Sequence, residues 1–164
     1  MLKNAALSTL AALTMGLSGT AAFAGDPAAG EREWRGCRSC HALTDDEGNQ
    51  IQRGGRSAPN LYGIPGAAVA SADPDFGYSD PLLAYAETGA VWNEELFVEY
   101  VTDPTAFLRH HLGDDSVRSA MTYRMRRGAE DMWAYLESVS PAVEADAAEG
   151  DMAEGDMAED AATD

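Results

Sequence analysis

Lysine is nearly missing from this 164-residue chain: Lys3 is the single one, and every other basic residue is one of ten arginines. Against 28 Asp and Glu this leaves a formal net charge of -17. So negative a chain offers little to a polyphosphate backbone, and nucleic acid is not an expected partner. Cysteine is reduced to two, Cys37 and Cys40. That excludes a multi-disulfide scaffold and a zinc site built from four thiolates. No apolar run reaches the roughly 20 residues that a membrane-spanning helix needs. No segment alternates apolar and polar residues as a half-buried strand does, which argues against an all-β fold.

Both ends of the chain read as something other than core. At the start, Lys3 precedes the uncharged and mostly apolar run from Ala5 to Leu17, and Ala22-Phe23-Ala24 is a small-x-small cleavage site. Residues 1–24 are therefore read as a cleaved secretory signal, placing the mature protein in the periplasm. From Pro141 onward the chain holds nine acidic residues and no basic one, and the unit Glu-Gly-Asp-Met-Ala occurs twice. Like charge and low hydrophobicity leave residues 141–164 unable to offset their ordering entropy, so a disordered acidic tail is expected. Met152 and Met157 are soft ligands in principle, but a solvated spacer is the simpler reading of that segment.

Residues 25–140 remain as one domain, with nineteen acidic residues, ten arginines and a net charge of -9. A domain of this size has a limited apolar core and gains from an additional staple. Its signals are helical. Asp26-Pro27 and Asp80-Pro81 each offer an N-cap followed by proline at the first helical position. Asn93 caps a third helix, with Glu94 and Glu95 at its positive end and an apolar stripe of Leu96, Phe97, Tyr100 and Val101. Asp103-Pro104 ends that helix and begins a fourth. Ala129 to Val139 is the last, with Met132, Trp133, Tyr135 and Leu136 facing inward. The glycine- and proline-rich connection 47–80 is awkwardly long for a compact domain, unless it wraps something other than protein.

Cys37-Arg38-Ser39-Cys40-His41 explains both the staple and the loop. A zinc site would need His110 and His111 to complete it, and adjacent histidines on a charged helix more often face solvent. A thioredoxin-type dithiol follows a strand of an α/β fold, which is not the pattern here. A plain disulfide gives His41 no role. Haem attachment uses all three residues: two thioether bonds from cysteines about one helical turn apart, and the next histidine as an axial ligand. Sulfur from Met121, Met125, Met132, Met152 or Met157, or nitrogen from His110 or His111, is then available for the sixth position. Met121 lies in the non-periodic segment before the last helix, where a thioether has no obvious packing duty. Local reasoning favours Met121 while leaving Met125 open.

The ordered set "GDPAAGEREWRGCRSCH", "APNLYG", "FGYSD", "WNEELFVEYVTDPTAFL", "AMTYRM" and "MWAYL" resembles the class I cytochromes c, most closely the long bacterial cytochrome c2 type. The resemblance covers nearly all of residues 25–139. It implies an all-α fold of short helices and long loops around one covalently attached haem c. It implies thioether bonds from Cys37 and Cys40, and axial ligation by His41 and Met121. The carbonyl of Pro59 would accept a hydrogen bond from the His41 ring, Tyr78 and Trp92 would hydrogen-bond a haem propionate, and Tyr100 would lie near the methionine ligand. Gly30 and Trp34 match the place where the first helix crosses the last. The implied protein is a monomeric electron shuttle and not an enzyme, docking transiently on membrane complexes. A cytochrome bc complex would be the donor, and a photosynthetic reaction centre or terminal oxidase the acceptor. The departure is electrostatic, since lysines usually ring the exposed haem edge in this family. Arg35, Arg38, Arg53, Arg56, Arg118, Arg124, Arg126 and Arg127 stand near the corresponding motifs. They suggest either a basic docking face on an acidic molecule or simple solubilising charges.

Overall fold

A computed structural model describes residues 25–141. The expected signal segment, and the acidic tail beyond Pro141, lie outside the described residues. The first helix, α1, runs Pro27–Glu33; the Asp26 side chain accepts from the Ala28 N–H at 2.9 Å, and proline occupies the first turn. It tightens into a 3-10 turn, Trp34–Gly36, that leads straight into Cys37. Helix α2 is Asp80–Ala86, α3 is Glu94–Thr102, α4 is Pro104–Leu112 and α5 is Ala129–Val139.

Asn93 caps α3 by accepting from Leu96 N–H at 2.9 Å, and Asp103 closes α3 while its side chain caps α4 at Ala106 N–H. The α2 boundary differs from the sequence expectation by one residue. Ser79 is the N-cap, without a side-chain bond, and Asp80 is already helical, where its charge still favours the positive end.

Two short strands were not anticipated. β1, Leu43–Thr44, pairs antiparallel with β2, Gln50–Gln52, across an irregular register. Elements of two and three residues are too short to display a period of two, and they depend on side chains for support. Asp45 closes the hairpin by accepting from the backbone N–H groups of Glu47 and Asn49.

Helices α1 and α5 cross at Gly30. A Cβ there would collide with the Asp131 carbonyl and crowd the Tyr135 Cβ, so only glycine permits this approach. The Asp131 carboxylate also accepts from Asp26 N–H at 2.8 Å, locking the two N-termini together. The core gathers Trp34, Phe97, Phe107, Leu108, Met132, Trp133 and Leu136. Each such side chain contributes roughly 1.5–3 kcal/mol when fully buried. Phe97, Val101 and Met132 also face an internal cleft, so core and cleft share one apolar lining. Among the described residues, no helix is long and apolar enough to cross a membrane.

Candidate functional site

The segment 37–41 forms a single helical turn, with His41 N–H donating to the Cys37 carbonyl at 3.0 Å. That turn brings Cys37 and Cys40 to one side. Cys37 is half-buried and Cys40 exposed, with no disulfide between them. Burial, aided by the nearby Glu33 carboxylate and by Cys40, pushes the Cys37 thiol up to about 11. A dithiol that exchanges disulfides needs a lowered thiol pKa, so this pair is poorly suited to that chemistry.

His41 is held in one tautomer. Its Nδ1 lies 2.7 Å from the Pro59 carbonyl oxygen. A carbonyl can only accept, so Nδ1 carries the proton and Nε2 keeps its lone pair. Burial lowers the His41 pKa, opposed by the bond to Pro59, and keeps the ring neutral as a ligand requires.

The long connection is what places Pro59 there. Gly55 N–H donates to Arg38 O, Ala58 N–H to Cys40 O, and Leu61 N–H to Ala42 O, laying the loop along the cysteine turn. Gly54 and Gly55 make that approach possible, because a Cβ at either would strike the carbonyl of His41 or Ser39. Asn60 clamps the same loop to β1, accepting from Thr44 N–H at 3.0 Å and donating to Thr44 O at 2.7 Å. The Asp73 carboxylate in turn accepts from Asn60 N–H at 2.8 Å.

The far end of the domain contributes the other side. Ser119 is 8% exposed, and its Oγ accepts from Met121 N–H at 3.1 Å. The Tyr100 hydroxyl lies 3.3 Å from the same Oγ, and Thr105 Oγ1 accepts from Ser119 N–H at 3.2 Å. Met121 is thereby tied through Ser119 to both helices, to α3 by the hydroxyl and to α4 by the Ser119 N–H. Met125 is fixed differently, by a backbone bond to Val101 O at 2.7 Å, and is buried in the core. Trp92 packs between Tyr100 and Phe107, and the Tyr78 hydroxyl accepts from Asp73 N–H at 3.1 Å.

All eight residues singled out from the sequence — Cys37, Cys40, His41, Pro59, Tyr78, Trp92, Tyr100 and Met121 — line one cleft of about 360 Å³ with mainly apolar walls. Cofactor sites commonly hold roughly 300–1,000 Å³. Two sulfurs, one neutral imidazole and one thioether around an apolar slot form a donor set that fits a c-type haem. Sequence reasoning missed the positioning residues Gly54, Gly55, Asn60 and Ser119. Asn60 stood inside a motif already noted, and a loop asparagine beside proline was the available signal. Ser119 carried none.

No family model matches the chain. Curated relatives do. It is 50% identical over 129 residues to cytochrome c-551 of Roseobacter denitrificans, spanning 78% of this chain and 91% of that one. It is 40% identical over 132 residues to cytochrome c2 of Rhodobacter capsulatus, spanning 80% and 93%. Among solved structures, ferric cytochrome c-550 from Paracoccus versutus superposes with a TM-score of 0.69 at 39% identity, covering 71% of this chain and 99% of that one. Cytochrome c2 from Rhodobacter capsulatus gives 0.67 at 39% identity, covering 70% and 98%.

Proposed function

The chain belongs to the class I cytochromes c of the c2 type, and from that premise we propose that it is a periplasmic one-electron shuttle with His41 and Met121 as axial ligands. The family consists of electron carriers, not enzymes, with one covalently attached haem c. The observation that carries the finer reading is the convergence of Cys37, Cys40, His41 and Met121 on one apolar cleft, with the His41 Nδ1 proton committed to Pro59.

The bound haem supplies a one-electron change at its iron. Cys37 and Cys40 would hold it through Sγ, and His41 would offer Nε2. The Pro59 carbonyl fixes the imidazole plane and raises its basicity. Met121 offers a thioether, which favours the ferrous state relative to a second imidazole. Tyr78 and Trp92 would hydrogen-bond a propionate, and the apolar walls would keep water from the group and limit reorganisation on electron transfer.

Residues 1–24 are the export signal. Arginines are the docking charges for membrane redox partners, with a cytochrome bc complex as donor and a reaction centre or oxidase as acceptor. Arg32, Arg35, Arg38 and Arg53 gather around one surface hollow beside the cysteine turn. Arg124 is already paired with Asp103 at 3.1 Å and contributes less. Electron exchange with acidic partners therefore slows as ionic strength rises.

Protein exported from a host with cytochrome maturation machinery provides the test. Mass spectrometry finds one haem added and both thiols consumed, and the reduced protein does not bind carbon monoxide at neutral pH without denaturant. Colourless protein, free thiols or ready carbon monoxide binding would contradict the reading.

A further inference from the structure

We propose that Glu99, His110 and His111 form a surface site for a divalent transition-metal ion of the zinc class, apart from the haem cleft. Each residue offers one ligand atom, and these atoms lie within 4.8 Å of one another. They come from two helices whose relative placement is fixed. Asp103 ends α3 through its N–H to the Glu99 carbonyl, and its side chain starts α4. The corner between Glu99 and the two histidines is therefore built into the backbone.

His111 is the anchored member. Its ring packs on Phe107 with centroids 4.3 Å apart and on Tyr85 at 5.1 Å, and its Nε2 stands 3.0 Å from Glu99 Oε2. A hydrogen bond alone would account for that contact. It does not account for His110, exposed and outside the bond, whose ring sits edge-on to His111 with centroids 5.0 Å apart. Neighbouring residues on a helix point about 100° apart, yet both rings here present a nitrogen within 4.8 Å of the Glu99 carboxylate.

Two imidazoles and a carboxylate are a zinc donor set, with ligand distances of roughly 2.0–2.2 Å and a fourth position left for water. Drawing the three atoms around an ion requires a contraction of about an ångström, which the exposed Glu99 and His110 side chains can supply. The set discriminates by chemistry. Imidazole suits zinc, copper and nickel, whereas calcium and magnesium prefer all-oxygen shells. The strongly negative chain also raises the local cation concentration.

The test is calorimetric titration of zinc chloride into the haem-loaded full-length protein at neutral pH, in a non-coordinating buffer with excess calcium to occupy the acidic tail. One ion binds per chain with micromolar affinity, and the haem spectrum does not change. His110→Ala and Glu99→Gln, both at exposed positions, each weaken binding at least about tenfold and leave the spectrum intact. Absence of one-site binding would overturn the proposal. So would equal affinity in both variants, which would put the zinc elsewhere, or a zinc-induced change in the haem spectrum, which would put it in the cleft.

Discussion

The two sides of the cleft are built by different means. On the histidine side, the loop 54–61 lies along the cysteine turn through a series of backbone hydrogen bonds, with Asn60 and two glycines enforcing the contact. On the methionine side, residues 117–125 hang on few attachments. Val117 O accepts from Arg109 Nε, Ser119 is tied through its hydroxyl and its N–H, Arg124 pairs with Asp103, and Met125 makes one backbone bond, so most of these attachments run through single side chains. Backbone-laced segments open with the whole domain, while segments held by isolated side chains open locally at lower cost. The methionine side is therefore the part that yields first, and the axial ligand proposed there is the more easily lost.

The largest effect follows from attacking the laced side. Gly54→Ala places a methyl group against the His41 carbonyl, which no rotamer can relieve, and costs at least about 2–3 kcal/mol by denaturant titration of the haem-loaded protein. A smaller loss would mean that the loop stands off the cysteine turn. Asn60→Ala leaves both Thr44 backbone groups short of a partner and costs about 2 kcal/mol, with unfolding still a single transition. Ser119→Ala costs less, about 1–2 kcal/mol, but splits the transition: the sulfur–iron charge-transfer band disappears at lower denaturant than helical circular dichroism. Coincident loss of both signals would erase the distinction between the two sides. Deleting residues 141–164 changes stability by no more than about 0.5 kcal/mol, since the apolar residues of that stretch are mostly alanines scattered among nine carboxylates. A large fall in melting temperature would assign the tail a structural role.

How much of this could be read from the chain depends on how local each cause is. Helix starts were legible because Asp26-Pro27, Asn93 and Asp103-Pro104 carry their caps in adjacent residues. The cysteine turn was legible because its chemistry is contained in five positions. The β1–β2 hairpin was not, being too short for periodicity and dependent on Asp45 and Asn60. Ser119 was invisible for a related reason. Its role arises only when Tyr100 and Met121, distant in sequence, converge on one hydroxyl. Gly54 looked like loop glycine, and only the folded approach of the His41 carbonyl shows why a side chain is forbidden there.

Two sulfurs compete for the sixth position: Met121 and Met125 both line the cleft, one partly exposed in a loop and the other fixed in the core. The direct measurement is the sulfur–iron charge-transfer band of the oxidised protein in Met121→Ala and Met125→Ala. The band vanishes in the first and persists in the second. Its survival in Met121→Ala would contradict the assignment.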